Sequence, residues 1–340
     1  MSYAEIAADA RGHMGPDCKA CPVCNGRACG GSIPGPGSKG SGTVATNNYN
    51  AWQGITVNMD TLHEPFTPDT VFDFFGHELS SPIMIAPVGD VERHYGSKYS
   101  MDEYNSLITS AAVQAGTIAW TGDGVDSKIY SHACDCISSL RGAGVSVCKP
   151  WSSDICLDKI HLSQESGVYA LAMDVDAAGL PFLKGCVPPA GPKSSAALAR
   201  IVETCQMPFI VKGVMTPTAA QKCEDAGCAG IVVSNHGGRV LDGVPPTAYA
   251  LADIVAAVSS SMKIFVDGGI RSGLDVFRAL AIGAHGVLIC RPFVVAAYGR
   301  GEEGVISYYN QLVEELKDTM LMCGAQSLQD IDGSMIYEMA

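Results

Sequence analysis

At 340 residues the chain is long enough for one large domain or two small ones, and 47% hydrophobic against 17% charged residues excludes a disordered protein. Lys and Arg number 22 against 35 Asp and Glu; the resulting net charge of −13 argues against nucleic acid or anionic membrane as the main partner. No apolar run approaches the roughly 18 residues a membrane span needs, and the stretch from Met1 to Arg11 lacks the apolar core of a signal peptide, so the expected location is the cytoplasm.

Residues 1–50 form a leader unlike the rest. Four of the 14 cysteines, Cys18, Cys21, Cys24 and Cys29, are crowded into it, in the pattern Cys-x₂-Cys-x₂-Cys-x₄-Cys. That spacing suits an iron–sulfur cluster and also a tetrahedral zinc site, and either would make folding of the loop depend on the metal. Four unligated thiols are the alternative. A Gly/Pro/Ser-rich stretch, Gly30 to Gly42, follows and cannot be a regular helix or strand. Cysteines elsewhere, such as Cys148, lie in apolar runs and behave as small hydrophobes.

From about residue 80 a regular alternation begins. Short apolar runs occur at Pro82–Ala86, Thr117–Thr121, Gly144–Cys148, Tyr169–Asp174, Phe209–Lys212, Gly230–Ser234, Lys263–Asp267 and Gly286–Cys290. Helical spacing separates them, as in Thr216–Ala226, Ala248–Val258 and Gly273–Ile282, and Gly304–Leu321 reads as the helix after the eighth strand. Eight buried strands alternating with helices predict an α/β protein, a (β/α)₈ TIM barrel over 51–340 carrying the Cys- and Gly-rich extension of 1–50. In such a barrel the chemistry sits where strands end. Here those ends carry Pro87-Val88-Gly89, Thr121, Lys149-Pro150-Trp151, Asp174, Lys212, Ser234-Asn235-His236, Asp267-Gly268-Gly269 and Arg291, which predicts a functional rim. Asp267-Gly268-Gly269 with Arg271 and Arg291 supplies close-approaching backbone and two guanidinium forks after strands 7 and 8, where barrels bind phosphate.

Val211-Lys212-Gly213-Val214, Ser234-Asn235-His236-Gly237-Gly238-Arg239, Asp267-Gly268-Gly269-Ile270-Arg271 and Cys290-Arg291-Pro292, in this order, resemble the FMN-dependent α-hydroxy-acid dehydrogenase/oxidase family, to which glycolate oxidase, lactate oxidase and flavocytochrome b2 belong. The likeness runs from about Pro82 to the C-terminus. It implies FMN as cofactor, with Lys212 beside flavin N1 and O2, and Asp267, Gly269, Arg271, Cys290 and Arg291 in the phosphate-side segments. It implies Pro87, Val88 and Gly89 beneath the isoalloxazine ring, and Thr121, Lys149 and Ser234 at the flavin's polar edge. His236 resembles the catalytic base, Asp174 the aspartate paired with it, and Arg239 the clamp on the substrate carboxylate. The resemblance also implies a homo-oligomer, a tetramer or octamer.

Four departures touch the substrate side. The family's second carboxylate-binding arginine is missing after Asp174, where Pro181 falls about at its place and Lys184 offers a point charge instead. The N-terminal substrate tyrosine has no match, and Trp151 stands for the strand-3 tyrosine, as a substrate contact. The loop after strand 4 is short, and Lys149 replaces the usual glutamine, which places a second cation near the flavin. The reading is therefore oxidation of an α-hydroxy acid to the 2-oxo acid, with O₂ or a redox partner taking the electrons and a rebuilt substrate pocket. An FMN-dependent isomerase and a non-catalytic flavin-binding protein are the alternatives.

Overall fold

The structure, a computed structural model, describes residues 1–187 and 190–338. Eight parallel strands make one sheet: β1 (Ile83–Ile85), β2 (Trp120–Thr121), β3 (Val145–Cys148), β4 (Ala170–Asp174), β5 (Phe209–Val214), β6 (Gly230–Val233), β7 (Lys263–Asp267) and β8 (Gly286–Ile289). Each pairs with the next from β2 to β8, β8 pairs with β1, and a parallel bridge between Ile85 and Ala119 closes the barrel. All eight overlap the apolar runs read from the sequence.

Successive strand residues alternate between two buried clusters, as side chains on opposite faces of a pleated strand must. Met84, Trp120, Val147, Ala172, Ile210, Val232, Phe265 and Leu288 belong to the cluster inside the barrel. Ile83, Ile85, Leu171, Met173, Val211, Ile231, Val266 and Val287 belong to the cluster between the strands and the surrounding helices. A hairpin, Phe72–Phe74 paired with His77–Leu79, precedes β1 and caps the barrel at the N-terminal ends of its strands. Its Phe74 ring lies 6.2 Å from Trp120 and 5.7 Å from Phe265.

The helix after the eighth strand is longer than expected. It starts directly at Arg291 and runs to Cys323, with a break at Arg300 and Gly301, where Gly301 takes φ 59°. The expected start at Gly304 marks only the portion after that break. In the leader, the helix Tyr3–Ala10 packs on this C-terminal helix, with the Tyr3 and Tyr308 rings 5.0 Å apart. Residues 11–43 contain no helix or strand. The helix Val44–Gly54 then runs across position 50 and docks on the strand ends.

That docking rests on paired amides. Asn48 Nδ2 donates to Asn235 Oδ1 at 2.8 Å, Asn235 Nδ2 donates back to Asn48 Oδ1 at 2.9 Å, and the Thr247 amide donates to Asn48 Oδ1 at 3.1 Å. Both asparagines are buried. Asn48→Ala strands the buried Asn235 oxygen and the Thr247 N–H, so equilibrium unfolding should show a loss of about 1–3 kcal/mol per stranded group. A change within a few tenths of a kcal/mol would mean that water takes over the amide's place.

Candidate active site

A cavity opens at the C-terminal ends of the strands, and every strand or the loop after it contributes to its wall. From the sequence-derived set, Pro87, Val88, Gly89, Lys149, Lys212, His236, Arg239, Asp267, Gly269, Arg271, Cys290 and Arg291 line it. Thr121, Ser234 and Asp174 do not reach the lining but are buried beneath it.

The floor is a charge network. Asp174, the last residue of β4, takes Lys149 Nζ at 2.6 Å on one oxygen and Lys212 Nζ at 3.1 Å on the other. Lys212 Nζ also lies 3.4 Å from Asp267 Oδ2 and donates to Ser234 Oγ at 3.2 Å. Burial works to raise the Asp174 carboxyl, but the two ammonium groups outweigh it and hold it below the usual carboxylate range. Burial likewise works to lower Lys212, and Asp174 with Asp267 pushes it above its ordinary value, so its charge is permanent.

This corrects the expected pairing of the base. His236 Nδ1 lies 3.0 Å from Asp176 Oδ1, not on Asp174. The strand ends at Asp174, and the 3₁₀ turn Val175–Gly179 lifts Asp176 above it. Room for Asp176 comes from Gly213, which follows Lys212 at φ 99° where the register of β5 against β6 slips. A Cβ at Gly213 would stand 2.5 Å from Asp176 Cγ. His236 itself holds φ 55°, and its N–H is accepted by Ser234 Oγ at 3.1 Å. A non-glycine residue kept in the left-handed region is a strained position of the kind that gathers at functional sites. Asp174, Asp176 and His236 bring ligand atoms within 4.8 Å of one another, yet the two lysines already pair with Asp174, which disfavours a cation there.

Trp151 is a second correction. Its indole N–H donates to Asp123 Oδ2 at 2.7 Å, where the Lys149 amide also binds, and the ring is buried outside the cavity lining. The wall that the sequence reading left open is built instead by Arg93, His94 and Tyr95, in the helix Val91–Tyr95, with Leu180 and Phe182 opposite. Lys184 is exposed and does not line the cavity. Arg93 does line it, paired with Asp90 at 3.1 Å. The only sequence signal for this wall was its place just after Pro87-Val88-Gly89.

The leader crosses the same mouth. Both arms of the Arg239 guanidinium donate to its carbonyls, Nη1 to Gly35 and Nη2 to Pro34. Arg291 Nε donates to the Pro36 carbonyl at 2.8 Å, and Arg271 Nε to the Cys24 carbonyl at 2.6 Å. A flavin mononucleotide fits the donors that remain. Gly268 and Gly269, both at φ 89°, expose backbone beside the two arginines, and Asp267 Oδ1 is a buried acceptor without a hydrogen-bond partner among the described residues, suited to a hydroxyl-bearing ligand.

The sequence matches the family described as FMN-dependent dehydrogenase over residues 36–182 and 190–338. The chain belongs to that family. A glycolate oxidase of Spinacia oleracea is 29% identical over 340 residues, covering 88% of this chain and 89% of that protein. A 4-hydroxymandelate oxidase of Amycolatopsis orientalis is 30% identical over 318 residues, covering 85% and 89%. Among solved structures, mandelate oxidase with (S)-2-phenylpropionate superposes with a TM-score of 0.82 at 26% identity, covering 99% of this chain and 97% of that one. The family resemblance and the barrel read from the sequence are both borne out.

His94 gives the site a pH signature. Burial first, and Arg239 second, lower its pKa from 6.5 to about 3. The unfolded chain therefore takes up this proton at 6.5 while the folded protein refuses it until about 3, so His94 removes stability as pH falls across that window. The melting temperature should fall more steeply with acid in the wild type than in His94→Asn over the upper part of the window. Parallel curves would show that the imidazole is not held neutral.

Proposed function

We propose that the protein oxidises a 2-hydroxy acid to the 2-oxo acid, with His236 as base. The observation that carries this is the His236–Asp176 pair standing over a fixed Lys212 charge, in a cavity whose donors suit FMN. FMN, when bound, supplies the acceptor for the hydride equivalent. His236 takes a proton from the substrate at the nitrogen facing the cavity, while Asp176 orients the imidazole and stabilises its charged form. Arg239 presents a planar fork to the substrate carboxylate, and the Pro34 and Gly35 carbonyls hold that fork in position. Lys212 contributes a cation that does not titrate in the working range. Asp174, by this reading, positions Lys149 and Lys212 and does not assist the base directly.

The cysteine loop of the leader (1–50) holds a metal centre, iron–sulfur or zinc, laid on the barrel of 51–340. The substrate wall differs from a simple lactate pocket, since Arg93, Leu180 and Phe182 border it. We keep the cytoplasm as the proposed location; among the described residues no helix is long and apolar enough to cross a membrane. A homo-oligomer, tetramer or octamer, follows from the family resemblance.

Anaerobic mixing with glycolate, (S)-lactate and (S)-mandelate tests the reaction: at least one should bleach the flavin. Rapid steady-state turnover of glycolate or lactate would sink the rebuilt pocket, and no bleaching across a wider panel of 2-hydroxy acids would sink the reaction. His236→Asn should lower kcat by about 10²- to 10⁴-fold. Asp176→Asn should lower kcat as well, whereas Arg239→Lys should chiefly raise KM, by about 10- to 100-fold. An Asp176→Asn enzyme with unchanged kcat would return the partner role to Asp174.

A further inference from the structure

The four-cysteine loop is the chemical cluster that hydroxy-acid oxidation leaves unused. Cys18, Cys21, Cys24 and Cys29 are free, half-buried thiols. Together with Tyr95 and Arg291 they line a second, smaller cavity. Most of the remaining wall is Ala, Gly, Pro and Val, which shelters a thiolate-bound metal from water.

The spacing of the four cysteines admits zinc as well as an iron–sulfur cluster.

Position supplies the second observation. Tyr95 and Arg291 line both this cavity and the larger one at the strand ends, so the two share a wall. Arg271 ties the loop to the same wall through the Cys24 carbonyl. We propose that Cys18, Cys21, Cys24 and Cys29 ligate an iron–sulfur cluster that carries electrons from the 2-hydroxy acid to a one-electron acceptor. This rests on the hydroxy-acid reading above. Converting one hydroxy acid to its oxo acid releases two electrons and two protons. The cluster takes the electrons singly across the shared wall and hands each on, so two acceptor molecules are reduced per acid and the protons pass to water. O₂ is then not needed as oxidant.

Protein purified anaerobically should contain iron and acid-labile sulfide in equal amounts beside FMN, and (S)-lactate, glycolate or (S)-mandelate should elicit the electron paramagnetic resonance signal of a reduced cluster. Cys21→Ser and Cys29→Ala should lose iron and that signal while keeping FMN and its anaerobic bleaching. Should these variants lose FMN through misfolding, the wild-type metal content decides alone. Zinc without sulfide, or no metal, overturns the proposal. A flavin bleached by substrate beside a cluster that stays oxidised overturns the relay and leaves hydroxy-acid oxidation standing. A cluster reducible by dithionite in a protein that no hydroxy acid bleaches keeps the metal site and overturns the hydroxy-acid reading.

Discussion

The Asp174 carboxylate, held between two buried ammonium groups, is the constraint on which the site depends. Lys149 and Lys212 are each less than a tenth exposed at the bottom of the cavity, and charges so placed are tolerated only when paired. With Asp267 as the third partner of Lys212, the floor is a closed set of two lysines and two aspartates. The His236–Asp176 pair stands above this floor.

The arginines follow the same logic at the mouth. A guanidinium turned into a cavity keeps donors that must be satisfied, and the leader's carbonyls satisfy them at Pro34, Gly35 and Pro36 and at Cys24. The leader therefore holds three of the cavity's arginines in place. Its docking through Asn48 and Asn235 ties the leader to the residue just before His236.

The barrel could be read in the sequence because strands buried on both faces appear as uninterrupted apolar runs, and eight of them left no ambiguity of class. The hairpin of Phe72–Phe74 was not read, since three-residue strands carry no periodicity; the helix Tyr3–Ala10 was missed although its Ser2–Glu5 capping box and its buried Tyr3, Ile6, Ala7 and Ala10 have helical spacing. Lys212, Arg271 and Arg291 sat inside ordered motifs, and all three line the cavity at the strand ends. The substrate side was hidden for a different reason. Arg93, His94 and Tyr95 look like any short helical turn until the fold swings it over the strand ends. Trp151 shows the converse error, because its place after Lys149 is that of a substrate contact while Asp123 draws its indole into the core.

Asp174 and Asp176 show how a hydrogen-bond partner can be placed two residues too early. Both lie at the end of β4, and choosing between them requires knowing where the strand stops and which neighbour makes room. Gly213 decides it, by leaving the space that Asp176 fills. With Asp176 bound to His236, Asp174 is free to face Lys149. The two strands run in register from Val145 opposite Ala170 to Cys148 opposite Met173, so Lys149 and Asp174 are the next facing pair. The lysine that looked like an extra cation beside the flavin therefore arrives with its own counter-charge. Lys149 pairs with Asp174, and Lys212 with Asp174 and Asp267, so the two lysines and two aspartates leave the floor without net charge.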